Sequence, residues 1–226
     1  VVRISGTMEG FGFQGSSTYT REQLVGIEQW GCVNFGNAGY CFDRCKRLKP
    51  CVITDIPDLT GTTNLSYMFR YAREFKADLS EWDVSKVTNM RGMFSHAHAF
   101  QSDLSGWDVS KVTVMDGMFY EAEAFQSDLS GWDVSKVTNI RGMFSGANAF
   151  QSDLSGWDVS KVTDMHGMFL NARAFQSDLS GWDVSKVADM AFMFWNAHAF
   201  QSDLSGWDVS KVTNIDQTAI NFGLAI

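Results

Sequence analysis

The chain has 226 residues, 45% hydrophobic and 19% charged, and carries a net charge of −8 from 18 Lys plus Arg against 26 Asp plus Glu. That is the composition of an ordinary folded protein, and its negative excess argues against nucleic acid and anionic membrane surfaces as partners. No apolar run approaches the roughly 20 residues of a membrane span, so no membrane insertion is expected. The opening VVRISGTMEG lacks the basic and apolar regions of a signal peptide, and a first residue that is Val reads as a processed or trimmed form.

In chain order, residues 1–23 fall outside every pattern that follows and read as an N-terminal cap, with TREQ at Thr20 to Gln23 in the outline of a helix capping box. The next stretch, 27–51, is cysteine-rich: Cys32, Cys41, Cys45 and Cys51 are the chain's four cysteines. Three readings stand side by side, namely two disulfides stapling an end that lacks a neighbour, buried free thiols, and a zinc site for which the spacing offers no CxxC pair. The disulfides are carried forward, with Cys41 and Cys45 each pairing with Cys32 or Cys51, because two cysteines four apart on one helix suit mutual bridging poorly.

PDLTGTTNLSYMF from Pro57 and FKADLSEWDVSKV from Phe75 then lead into FQSDLSGWDVSKV, which begins at Phe100, Phe125, Phe150, Phe175 and Phe200. The units start at Trp30, Pro57, Trp82, Trp107, Trp132, Trp157, Trp182 and Trp207, eight in all, so residues 24–215 form one repeat array. Residues 216–226 lose the pattern and read as a C-terminal cap. Within a unit, Trp132 and Val134 are two apart, as on one face of a strand, while Ile140, Met143, Phe144, Ala147 and Phe150 follow helical spacing. The predicted fold is therefore an α/β solenoid of strand-turn-helix units with a parallel sheet and a helix behind each strand, Thr138 serving as a helix N-cap. Glycine at 92, 117, 142 and 167 would let neighbouring helices approach, and Phe192 breaks that rule.

The spacing Leu129-x-x-Trp132-x-Val134 is like the LxxLxL core of leucine-rich repeats. The whole unit, FQSDLSGWDVSKVTNIRGMFSGANAF, resembles more narrowly the bacterial surface-protein 26-residue repeat, also known as the DUF285 or BspA-like family, a leucine-rich-repeat-like group. The resemblance implies a secreted or surface-attached protein of bacteria or some algae, with adhesion or partner binding and no general enzymatic activity.

Catalysis needs a singular set of groups, and a sequence that repeats everything offers none, so neither an enzyme nor a cofactor is expected. His96, His98, His166 and His198 occupy positions filled elsewhere by Glu123, Asn148 or Arg173 and read as solvated surface. The tryptophans at 82, 107, 132, 157, 182 and 207 read as core, sharing a side with an apolar valine. Two carboxylate ladders, Asp78 to Asp203 and Asp83 to Asp208, point outward, with a lysine ladder from Lys86 to Lys211 to offset one of them. They read as a hydrogen-bonded polar face; divalent-cation binding is the sharper alternative.

The expected function is non-catalytic binding of an unknown protein or surface polymer at an extracellular or cell-surface location. A protein partner would use the variable flank at Tyr120, Leu170 and Trp195, the last standing where other units have Ser95 and Ser145. A periodic ligand such as a polysaccharide, mineral or ice would use the uniform face through Asp133, Lys136 and Asp158. Oligomeric state is not legible.

Overall fold

The structure, a computed structural model, describes residues 8–9, 21–31, 33–49, 53 and 55–215. Successive 25-residue units lie directly on one another: isolated parallel bridges link Asn64, Asn89, Val114, Asn139, Asp164, Asp189 and Asn214 in turn. The first described pairing continues this period, as strand β1 (Met8–Glu9) runs parallel to β2 (Val33–Asn34) with Met8 opposite Val33. The expectation of an α/β solenoid with helices and a parallel sheet is overturned. Among the described residues, helix is confined to residues 21–22 and strand to β1 and β2; the units are chains of tight turns.

The physical reason lies in the backbone of residues 140–150. Met143 N–H bonds to the Ile140 carbonyl, Ser145 to Gly142, Ala147 to Phe144 and Phe150 to Ala147, each three residues back. A helix would continue these bonds, but every fourth residue here takes a left-handed conformation: Gly142 has φ 58° and Gly146 71°. That rotation turns alternate N–H groups out of the unit. Ile140, Gly142, Phe144 and Gly146 donate to the carbonyls of Asp164, His166, Met168 and Leu170 in the next unit. All four donors point the same way along the stack, whereas a parallel β-ladder alternates donors and acceptors on each edge. The apolar spacing that mimics a helix is thus produced by three-residue turns.

The glycines at 92, 117, 142 and 167 accordingly supply positive φ, between 56° and 61°, and pack no helices together. Gly92 also makes room, since a Cβ there would lie 2.5 Å from the Tyr67 ring. Phe192 adopts the same left-handed conformation with φ 59°. Thr138 caps no helix: its hydroxyl donates to the Thr113 carbonyl at 3.3 Å, and Asn139 instead accepts the Arg141 N–H at 2.9 Å.

The core is a bundle of aromatic columns. Phe94, Phe119, Phe144, Phe169 and Phe194 stack at 5.6–5.8 Å with rings within 10° of parallel, and within each unit a second phenylalanine lies close, Phe119 to Phe125 at 3.9 Å. The repeated tryptophans are buried, as expected from their spacing. Those from Trp107 to Trp207 also reach back across the stack: Trp132 Nε1–H donates to the Leu104 carbonyl at 3.0 Å and Trp157 to Leu129 at 2.9 Å, and Trp107, Trp182 and Trp207 do the same. A buried carbonyl that would otherwise lack a partner is satisfied in this way.

The same accounting explains the rest of the recurring motif. Ser152 Oγ accepts the buried Leu129 N–H from the preceding unit at 2.9 Å and donates to Asp128 at 3.4 Å. Asp128 in turn accepts the Ser130 N–H at 2.9 Å, and Asp133 that of Ser135 at 3.0 Å. Each closes an Asx turn that bends the chain around the core. One end of the stack is tied by charge. Buried Asp43 receives Arg70 Nε at 2.8 Å and Nη2 at 3.1 Å, and Arg21 Nη1 at 3.0 Å. The proposed caps, 1–23 and 216–226, lie largely outside the described residues.

Candidate functional site

Two faces of the stack differ in kind. The uniform face carries Asp133, Lys136 and Asp158, all exposed. Its carboxylates are engaged: Asp133 and Asp158 each accept a serine N–H at 3.0 Å, from Ser135 and Ser160. Hydrogen bonds from those serines, side chain first and backbone second, hold both carboxyls below the ordinary aspartate range, ahead of the through-space influence of Lys136 and Lys161. The threonine row is committed too, as Thr88, Thr113, Thr138 and Thr163 each donate to the carbonyl one unit back. No three residues of the aspartate ladders gather into a cation cage among the described residues.

The other face is built by the left-handed turns. Positive φ at Tyr40, Tyr67, Tyr71, His96 and Glu121 projects side chains that differ from unit to unit. Tyr40 stacks on Tyr67 at 4.7 Å, Tyr71 on His96 at 4.3 Å, and His96 meets Tyr120 edge-on at 5.2 Å. Arg70 lies 4.5 Å over the Tyr67 ring while its guanidinium holds Asp43, and Arg91 lies 6.0 Å from the same ring while pairing with Asp116 at 2.8 Å. Burial raises the Asp116 carboxyl against the pull of Arg91, and burial holds the His96 imidazole below its ordinary value.

Tyr120, Leu170 and Trp195 share one register on this variable face; Tyr120 and Leu170 are half-buried and Trp195 is 45% exposed. Beside Trp195 lies Phe192, 43% exposed, at 6.1 Å between ring centroids, and His166 is 5.6 Å from Phe192. Arg141 and His166 converge on Asp189 at 4.0 and 3.2 Å. Tyr40, Tyr67, Tyr71 and Arg70 were not marked by the sequence pattern. Of the histidines read as solvated surface, only His198 is exposed.

Cys41 and Cys45 are buried free thiols, and burial pushes both up to about 12. The two-disulfide expectation is therefore not supported: no bridge forms at either position, and Cys32 and Cys51 lie outside the described residues. A thiol so shielded and so basic is a poor nucleophile. No helix among the described residues is long and apolar enough to cross a membrane.

Two stretches, residues 36–153 and 124–222, match the family model described as Mycoplasma protein of unknown function, DUF285. No curated protein matches the chain. The matches overlap and together run from residue 36 to residue 222, well over half of the chain, so the chain belongs to the DUF285 family.

Proposed function

We propose that this chain is a non-catalytic binding protein of the extracellular space or cell surface, and that it takes a protein partner on its variable face. The observation that carries the reading is Phe192. Four other units place glycine there, yet this one holds a bulky side chain at φ 59° and leaves it 43% exposed beside the exposed Trp195. A left-handed non-glycine residue costs about 1–2 kcal/mol, and burial does not compensate here. Exposed aromatics on a rigid scaffold are what protein recognition uses most. The rows of Tyr, Arg and Asp on the same face supply the polar surroundings that such a patch needs.

Catalysis finds less support, since the charged groups of this face pair with one another and the described thiols are buried. A periodic ligand on the uniform face is likewise disfavoured, because its Asp and Thr side chains are committed to holding the stack. A net charge of −8 argues against polyanions as partners. The test is to probe an array of extracellular protein domains and glycans with the labelled intact chain. Saturable binding to protein domains is expected; binding to glycans alone would overturn the reading.

A further inference from the structure

Three titratable side chains that the repeat comparison treats as unrelated meet on the variable face. His96 and His98 flank the buried Ala97, which directs both imidazoles outward from one turn. Glu121 occupies the position of His96 one unit further on and, like it, has positive φ, 53° against 58°. One ligand atom from each of His96, His98 and Glu121 lies within 4.8 Å of the other two. His96 Nδ1 is 3.5 Å from Glu121 Oε2.

The imidazoles are held by the fold. Tyr71 stacks flat on the His96 ring at 4.3 Å and 6°, and the His96 N–H is bonded to the Tyr120 carbonyl. The Ala99 N–H donates to the Arg73 carbonyl at 3.1 Å, fixing the backbone after His98. A simple ion pair would account for His96 and Glu121, but not for His98. Its Nε2 is enclosed with no hydrogen-bond partner, and the nearest carboxylate to its Nδ1, Glu123, is 4.0 Å away. The His98 ring therefore has a nitrogen that the protein leaves unsatisfied, and the ring sits beside a second imidazole and a carboxylate.

We infer that His96, His98 and Glu121 form a binding site for a divalent d-block cation of the zinc(II) type. Two imidazoles and a carboxylate are a borderline donor set that suits zinc, nickel and copper better than calcium or magnesium. Bonds of about 2.0–2.1 Å at tetrahedral angles separate ligand atoms by about 3.3 Å, so side-chain shifts of about 1 Å or less close the site around an ion. Three protein ligands leave a fourth position for water. The ion would bridge two successive units and so bind the folded stack and not the unfolded chain.

The test uses the untagged full-length chain, freed of metal with a chelator, titrated with zinc chloride in a non-coordinating buffer at pH 7.5 by calorimetry. One equivalent should bind, and Tm should rise by about 5 °C or more at hundredfold excess over Kd. His98→Gln and Glu121→Gln, both at partly exposed positions that leave the core intact, should each weaken binding at least tenfold, while His166→Gln, outside the cluster, should not. Cobalt(II) substitution separates this site from the cysteines, because imidazole and carboxylate ligation gives weak visible bands without the strong near-ultraviolet band of a cobalt thiolate. Absence of a saturable equivalent, undiminished binding by His98→Gln, or a thiolate band at one equivalent would each overturn the assignment.

Discussion

Ser152→Ala deletes one oxygen from the motif and isolates what the repeat is for. In the native stack Ser152 Oγ accepts the Leu129 N–H at 2.9 Å across the interface between units, and Leu129 is fully buried. Alanine is smaller, so nothing clashes and no backbone angle changes; what remains is an amide with no partner and no access to water. Such an orphan costs about 1–3 kcal/mol. The second bond of the same hydroxyl, to Asp128 at 3.4 Å, is long and adds little. Taking about 2 kcal/mol in total, a chain of this size should lose about 4–8 °C in Tm. Ser130→Ala is the control, because Ser130 is exposed and gives its backbone N–H to Asp128; a surface change of that kind should stay within about 0.5 kcal/mol. Melting followed by circular dichroism measures both, and amide hydrogen exchange at Leu129 should speed up in Ser152→Ala alone. A shift under about 1 °C, or one equal to that of Ser130→Ala, would refute the claim that the recurring serine ties one unit to the next.

Phe192→Gly should raise Tm by about 2 °C, since relief of the left-handed strain exceeds the extra backbone entropy of glycine and the lost contacts with Trp195 and His166; Gly142→Ala, at φ 58°, should lower it by a similar or larger amount. Stability should fall steeply as pH drops below about 4. The twelve ladder aspartates have folded values held below the ordinary one by their serine hydrogen bonds, so the stabilisation is present above the unfolded value and lost as pH falls through the folded ones. Denaturant titrations across pH 2–7 check this, and unchanged stability at pH 3 would contradict it. Cys41 and Cys45 should resist alkylation by iodoacetamide in the native chain at pH 8 and react once urea unfolds it, as peptide mass spectrometry would read; rapid native labelling at either site would contradict their burial.

The sequence makes the 25-residue period, the buried tryptophans and the outward aspartates legible, because burial alternates residue by residue around Trp132 and Val134 whatever the backbone does. It misleads at Ile140 to Phe150. Apolar residues three and four apart satisfy a helix and equally a run of tight turns that returns to the core after every bond. The discriminating signal was present in the glycine at 92, 117, 142 and 167: glycine at one fixed position in several units reports a left-handed angle before it reports close packing. At the second left-handed position that signal is missing, since His96, Glu121, Asn171 and Asn196 hold φ of 53–58° without being glycine.

The candidate site was legible in part. Tyr120, Leu170 and Trp195 stand out by departing from the repeat. Tyr40, Tyr67 and Tyr71 do not, because the first units differ from the later ones at many positions at once, so no single departure draws the eye. The cluster of His96, His98 and Glu121 escapes a comparison made position by position, for it joins two repeat positions, that of His96 and Glu121 and that of His98, and only the left-handed turns of two stacked units bring them together. The aspartate ladders present the converse case: their regularity suggests a ligand surface, and the serine N–H groups that occupy them become visible only once the chain is bent around its turns.

The division of labour between the two faces is tested most directly by the affinity of the full chain for the protein domain found on the array, measured by surface plasmon resonance for two paired variants of verified fold. Phe192→Gly with Trp195→Ser removes the exposed aromatics; Lys136→Gln with Lys161→Gln alters the uniform face without touching the aspartates that hold its turns. The first pair should weaken binding at least tenfold and the second by less than about twofold. The reverse ranking would contradict the account and place the binding surface on the repeated motif.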